Sequence, residues 1–260
     1  MIDVLVTGAA GRMGGEVVRA VTAAGGMRVV AAVDPGAAGG AVDDGAGGTI
    51  AVIGDLTAAI VKFKPQVMVD FTHPTAVEAN VRTALAAGVH CVVGTTGVSR
   101  STLEALAAQH PGPCLFMAPN FAIGAVLLMR FAGAAARYMP HVEIIELHHD
   151  RKADAPSGTA ILTAAIIAEA RREVPVAPGR ETELAKGARG ALVDGVSVHS
   201  IRLPGLVAHQ EVIFGGVGQT LTLRHDSIDR TSFMPGVVLA VREVGKQTGF
   251  IVGLDMLMED

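Results

Sequence analysis

The chain opens on a repeating alternation in which a short aliphatic run meets a glycine-bearing turn, followed by a stretch whose apolar positions fall three and four apart. IDVLVTG, GGEVVRAVTAAG and MRVVAAVD form the first set, and their periods, near 2 and near 3.6, predict one βαβ unit. The alternation continues through TIAVIGD, LTAAIVKF, QVMVDFT, PTAVEANVRTALAAG, HCVVGTT, SRSTLEALAAQH and PCLFMAPN. Strands that alternate with helices predict a parallel sheet covered on both faces, so about the first 120 residues read as a doubly wound domain.

After the helical stretch FAIGAVLLMRFAGAAARYM the character changes. VEIIELHHD, GVSVHSIRLP, HQEVIFGG and QTLTLRHDS read as longer strands with no helix between the last three, which predicts an antiparallel or mixed sheet. One long helix, SGTAILTAAIIAEARR, can cover one face of it; the other face is either polar in its own right or hidden by self-association, and the residues leave the two readings level. The polar stretch from Val174 to Gly195 reads as a long connection or flap, and SFMPGVVLAVREVGKQTGF as a helix returning to the first domain. The expected fold class is α/β. A doubly wound parallel-sheet (Rossmann) nucleotide domain takes residues 1–121 and 230–260, and an α+β domain with a mixed open sheet takes residues 122–229.

Composition narrows the function classes. Half of the 260 residues are hydrophobic and 18% are charged, which specifies a packed protein rather than a disordered one. The formal net charge of −4 offers no general attraction to nucleic acid, so an anionic ligand must be held by a local cluster of donors. Cys91 and Cys114, far apart in apolar stretches, fit buried thiols in a reducing compartment and offer no zinc spacing. MIDVLVTGAAG begins directly as a strand and a turn, without the basic start and cleavage site of a secretion signal, and a cytoplasmic protein is expected. The uncharged run from Pro111 to Met129 carries Pro111, Pro113, Pro119 and Asn120, which break a spanning helix, so no membrane association is expected.

The turn Gly8-Ala9-Ala10-Gly11-Arg12-Met13-Gly14 lies between the first strand and first helix, where a dinucleotide pyrophosphate meets the positive end of the helix dipole. Its spacing is GxxGxxG instead of the usual GxGxxG, and its bland reading is a plain strand-to-helix turn. Asp34 ends the second strand twenty residues beyond Gly14, where a carboxylate can accept hydrogen bonds from ribose hydroxyls; its bland reading is a loop cap. Its charge opposes a 2′-phosphate, and no Lys or Arg occurs between Val29 and Val61, so NADH is expected, with Arg12 leaving room for NADPH. Gly94-Thr95-Thr96-Gly97 and Ala118-Pro119-Asn120-Phe121 follow two further strands, at the sheet edge where ligands bind, and either contact the nicotinamide half or are ordinary turns.

The densest polar cluster is Glu146-Leu-His-His-Asp-Arg-Lys-Ala-Asp-Ala-Pro-Ser-Gly-Thr159, running from a strand end into a helix. Adjacent histidines on a strand point apart, so one of His148 and His149 can face a reacting carbon while the other takes a substrate carboxylate. Lys152 adds a cation and an acid. Ser157 is a candidate N-cap, with the first-turn amides of Gly158 and Thr159 able to grip a carboxylate. The bland alternatives are a capped helix and two surface histidines; no third metal ligand lies at a recognisable spacing, and no metal is expected. His73, His199, His209 and His225 read as solvent-facing or hydrogen-bonded groups.

With GAAGRMG, VDFTHP, GTTG, APNF, ELHHDRKADAPSGTA and the tail from SIDRTSF to GKQTGF, nearly the whole chain resembles the dihydrodipicolinate reductases of the diaminopimelate route to lysine. The resemblance implies NAD(P)H-dependent reduction of a cyclic dicarboxylate, 4-hydroxy-tetrahydrodipicolinate, to tetrahydrodipicolinate. It implies that Gly8, Ala9, Ala10, Gly11, Arg12 and Met13 line the phosphates, that Asp34 sits at the ribose, and that Gly94, Thr95, Thr96, Ala118, Pro119, Asn120 and Phe121 complete the cofactor site. It makes His148 the proton donor or acceptor and Lys152 the second proton donor. His149, Ser157, Gly158, Thr159 and Arg230 become substrate contacts. A homotetramer assembled through the second-domain sheet follows too, as does domain closure about hinges near Phe121 and Arg230. Asp34-Pro35 and His73 depart from members that carry an acidic residue followed by arginine, or an arginine, at those places. The competing readings are a reductase of the same plan acting on an amino-acid aldehyde, imine or sugar, and a nucleotide-sensing protein without catalysis. The HHxxK cluster followed by PSGT speaks against both.

Overall fold

The computed structural model describes residues 1–173, 175 and 182–258. The chain forms two compact units, one from Met1–Ile123 with Arg230–Asp260, the other from Gly124–Asp229.

The first unit contains β1 (Ile2–Thr7), α1 (Arg12–Ala23), β2 (Met27–Val33), β3 (Ala41–Asp43), β4 (Thr49–Ile53), α2 (Leu56–Phe63), β5 (Val67–Asp70), α3 (Pro74–Ala86), β6 (His90–Val93), α4 (Arg100–Gln109) and β7 (Cys114–Met117). These make an eight-stranded sheet, completed near the chain's end, in which every pairing is parallel except the β3–β4 hairpin. From β1 the chain steps to β2 and β4 on one side, then returns to lay β5 on the other side of β1. That reversal opens a crevice beyond the carboxyl ends of β1 and β5, the place where open α/β sheets take ligands. β5 is buried along its whole length, as a strand covered on both faces must be. Leu5, Met68, Val81, Leu85, Leu103, Leu106 and Leu115 share one apolar core.

The second unit contains α5 (Ile123–Ala136), β8 (His141–His148), α6 (Gly158–Ala170), β9 (Ala191–Val193), β10 (Val196–Arg202), β11 (Ala208–Gly216) and β12 (Gln219–Ser227). Its sheet is mixed: the order is β12-β11-β8-β10-β9, with β8 and β10 parallel and the other pairs antiparallel. Period-two alternation sorts the faces. Ile144, Val196, Val198, Val212 and Phe214 are buried, as are Ala160, Ala164 and Ile167 of α6. Alternate strand positions carry charged pairs instead: Glu143 with His199, and Arg224 with Glu211 and Asp226, while Arg189 from the turn before β9 also pairs with Glu143.

Back in the first unit, α7 (Met234–Val244) is followed by β13 (Gly249–Val252), which pairs with β7. The returning tail is therefore a helix and then a strand, where periodicity predicts a helix alone; Gly245 and Thr248-Gly249 end the helical run, and the branched and aromatic FIV suits a strand. The stretch from Val174 to Gly195 lies partly outside the described residues, and within it Ala191–Val193 is a strand on β10 rather than connection. The uncharged run from Pro111 to Met129 is divided between β7 and the start of α5. Among the described residues no helix is long and apolar enough to cross a membrane.

Candidate active site

In the first unit a cavity of about 330 Å³ is lined by Thr7, Gly8, Gly11, Asp34, Phe71 and His73, among others. The glycine turn has the shape that a closely approaching ligand needs. Gly8 sits at φ +71°, and a Cβ there would come within 2.4 Å of the Phe71 carbonyl oxygen. A Cβ on Gly14 would lie 2.0 Å from the Gly8 carbonyl oxygen, so the first turn of α1 can press on the loop only because that residue is glycine. Asp34 closes the loop from the other side: Oδ2 accepts from the Ala10 amide at 3.2 Å and Oδ1 from the Gly36 amide at 3.1 Å. It is at once a cap and a wall of the cavity. His73 lines the same cavity, with Nδ1 2.9 Å from Thr75 Oγ1 at the N-terminus of α3.

Of the other cofactor candidates, Ala9 is fully buried beneath the turn, and Arg12 and Met13 open α1. Phe121 is 3% exposed, its ring 5.8 Å from that of Phe71 and 6.0 Å from that of Phe116. Phe71 lines the cavity, and Phe121 packs with it. Thr95 of the GTTG loop is tied to Asp70, a carboxylate with no exposed surface. Asp70 accepts from Thr7 Oγ1 (2.9 Å), the Thr72 amide (3.1 Å) and Oγ1 (2.7 Å), Asn80 Nδ2 (2.8 Å) and Thr95 Oγ1 (3.0 Å). It thereby joins β1, the loop after β5, α3 and the GTTG loop by neutral donors.

In the second unit the polar cluster is built around Glu146. Positions 146 and 148 of β8 share a face, so two side chains of the motif meet there. Glu146 is fully buried, with Oε2 2.5 Å from His148 Nδ1. Arg202, opposite His148 on β10, closes a two-pronged fork on both carboxylate oxygens at 2.9 and 2.8 Å. The Ser157 amide adds a bond at 3.2 Å. Burial pushes the Glu146 carboxyl up, but hydrogen bonds from His148, Arg202 and Ser200 outweigh it and hold it at about 2. A carboxylate can only accept, so the proton between them sits on His148 Nδ1. His149, one residue beyond β8, has a buried Nδ1 without a partner among the described residues. Lys152 places Nζ 2.8 Å from both oxygens of Asp154, whose backbone carbonyl accepts from Arg202 at 2.6 Å. Ser157 Oγ caps α6 by accepting from the Ala160 amide, leaving Gly158 and Thr159 in the first turn.

His148, His149, Lys152, Ser157, Gly158 and Thr159 thus belong to one unit, whereas Arg230 begins a short 3-10 helix of the other. Asp70, Glu146 and Arg202 were not singled out from sequence. Glu146 was legible in principle, as an acid two positions before a histidine on one strand face. The bonds of His73, His199 and His209 fit their bland readings.

Comparison with known proteins follows the same division. Residues 2–121 match the family described as dihydrodipicolinate reductase, N-terminus, and residues 124–258 match dihydrodipicolinate reductase, C-terminus. The 4-hydroxy-tetrahydrodipicolinate reductase of Mycolicibacterium vanbaalenii is 48% identical over 257 residues, 98% of each chain. That of Nocardia farcinica is 49% identical over 263 residues, 99% of each. Among solved structures, the dipicolinate-bound dihydrodipicolinate reductase from Paenisporosarcina sp. TG-14 aligns with a TM-score of 0.86 at 43% identity, covering 99% of this chain and 100% of that one. An amine dehydrogenase from Mycobacterium smegmatis, at 15% identity and a TM-score of 0.67 over 99% of this chain and 96% of its own, shares the fold alone.

Proposed function

The chain belongs to the dihydrodipicolinate reductase family, and we propose that it reduces 4-hydroxy-tetrahydrodipicolinate to tetrahydrodipicolinate in the diaminopimelate route to lysine, with His148 and Lys152 moving the protons. The observation that carries this reading is the pairing of His148 Nδ1 with buried Glu146 beside the capped start of α6, in a chain 43% identical to a protein seen with a cyclic dicarboxylate bound. The first unit is the nucleotide domain and the second the substrate and oligomerisation domain.

The first unit fits a dinucleotide: a glycine turn that excludes any Cβ at Gly8 and Gly14 lies against a cavity walled by Asp34. Gly8, Ala9, Ala10, Gly11, Arg12 and Met13 would hold the phosphates, Asp34 the ribose, and the Gly94–Thr96 and Ala118–Phe121 loops the nicotinamide half. When bound, the reduced nicotinamide supplies the reducing electron pair. The charge of Asp34 at the cavity wall favours NADH over NADPH, although both are family cofactors.

The second unit does the rest. The partnerless Nδ1 of His149 and the first-turn amides of α6 offer donors to the dicarboxylate, and the helix dipole favours its charge there. His148, fixed through Nδ1, presents Nε2 to the substrate and gives a proton to its ring. Lys152 protonates the hydroxyl, which departs as water when its C–O bond breaks and the neighbouring ring carbon gives up a proton to solvent, leaving the conjugated imine that is reduced. General acid help of this kind is worth about 10²- to 10⁴-fold. The sheet face that carries Glu143, His199, Glu211 and Arg224, with Ile145 and Ile213 among them, is the surface through which a cytoplasmic homotetramer would assemble.

The test is the loss of reduced-nicotinamide absorbance with freshly made substrate, with NADH and NADPH compared. His148→Gln is expected to lower kcat by about 10²-fold or more with little change in substrate KM. Unchanged turnover in that variant would remove the role of His148, and no oxidation by the unaltered protein would remove the proposed activity.

A further inference from the structure

We propose that Glu146 is the positioning residue for the reaction: held as an anion by Arg202, it keeps a proton on His148 Nδ1 and fixes the ring, so that the proton given to the substrate is the one carried on Nε2. This rests on His148 being the proton donor, as proposed above.

The bland explanation is an ion pair that pins β8 to β10. The geometry asks for more. Arg202 stands opposite His148 in the strand register, not opposite Glu146, yet its guanidinium closes on both Glu146 oxygens. Oε2 is then shared between Arg202 and His148, at 2.9 and 2.5 Å. A pair serving only to join two strands needs no third member, least of all an imidazole with 15% of its side chain still exposed. The ring is therefore anchored at Nδ1 while part of it remains exposed.

The surrounding charges support the assignment. Arg202 comes from β10, and His225 from β12 shares the Glu146 face two strands away, across Gln210. The loop after β8 brings His149, Lys152 and Asp154, the last two neutralising each other. From α6 the neutral Ser157 and Thr163 face this side of the sheet, both buried. Among the described residues Glu146 is thus the one anion bonded to the ring, and Arg202 balances its charge without competing for the Nδ1 proton. In the transfer the Nε2–H bond breaks and a C–H bond forms on the substrate ring. The electron pair stays on Nε2, leaving a neutral imidazole hydrogen-bonded to Glu146, and water returns the proton between turnovers.

The experiment is a set of pH–rate profiles for the full enzyme with Glu146→Gln, Glu146→Asp and His148→Gln, together with ¹⁵N spectra of the histidines in the unaltered protein. Glu146→Gln is expected to lose about 10²-fold in kcat at neutral pH. Substrate KM should stay nearly constant, the pH profile should change shape, and Glu146→Asp should recover part of the rate. The spectra should place the proton of the neutral His148 ring on Nδ1. A Glu146→Gln profile parallel to that of the unaltered enzyme, or a loss confined to KM, overturns the proposal while a slow His148→Gln leaves the earlier reading standing. A fast His148→Gln overturns that reading and this one with it. Should Glu146→Gln not fold, the spectra decide: a proton on Nε2 of the neutral ring refutes the proposal.

Discussion

Among the described residues each compact unit buries one carboxylate completely near the end of a strand, and the two are satisfied by different kinds of donor. Asp70 at the end of β5 receives five hydrogen bonds, all from neutral hydroxyl and amide donors. Glu146, two residues from the end of β8, receives a guanidinium fork and an imidazole, with one neutral amide, that of Ser157, beside them. Neutral donors satisfy the lone pairs of Asp70 and tie four chain segments together, so that acid works as a joint between loops. The guanidinium of Arg202 cancels the charge of Glu146, and the imidazole of His148 couples it to a group that exchanges protons, so that acid works on a proton. Burial alone therefore does not tell what an acid is for; the charge of its partners does.

The comparison can be broken most forcefully at Arg202. Arg202→Met strands a buried anion and is expected to cost about 3–5 kcal/mol, with much of the loss regained when Glu146→Met is added, because removing both charges is far cheaper than removing one. Urea unfolding of the single and double variants measures it. A loss of only about 1 kcal/mol in the single variant would mean that neutral donors suffice for Glu146 as they do for Asp70. The acid limb comes next. The folded carboxyl of Glu146 lies at about 2 against an ordinary 4.5, so its contribution is fully present above pH 4.5 and is lost as the pH falls through 2. At roughly 1.4 kcal/mol per pH unit, that is roughly 3 kcal/mol. Acid unfolding of Glu146→Gln should be flatter than that of the unaltered protein across this window, and parallel curves would speak against it.

The smallest effect sharpens the other half. Asp70→Asn should cost about 1–3 kcal/mol, since its new amide faces that of Asn80. Adding Asn80→Asp restores one donor opposite one acceptor and should regain part of the loss, in melting temperature and in dinucleotide affinity alike. No regain in the double variant would show that the charge of Asp70, rather than its acceptors, is what the loops require.

Much of this was legible in the chain because the first unit is made of local signals. Its glycine turn, its alternating periods and the acid twenty residues on lie within one βαβ segment. The polar motif from Glu146 to Thr159 could likewise be read, because strand, loop and helix start are contiguous. What escaped depends on pairing over distance. Arg202 meets Glu146 from 56 positions away, through a parallel register that no local pattern encodes. Asp70 and Thr95 meet only because β5 and β6 are neighbours. The strands β3 and β9, of three residues each, are too short to show a period, and they and β13 exist because a neighbouring strand offers them an edge.

The return of α7 and β13 to the first unit bears on the order in which the chain is made. The second unit is a continuous insert, and all of its strands have left the ribosome before β13, which supplies one edge of the sheet it interrupts. Domains fold as units during synthesis. The insert can therefore close its hydrogen bonds while β7 still presents a bare edge and α1 still lacks α7 beside it. The returning segment acts as a latch: until it arrives, the glycine turn rides on an unfinished sheet.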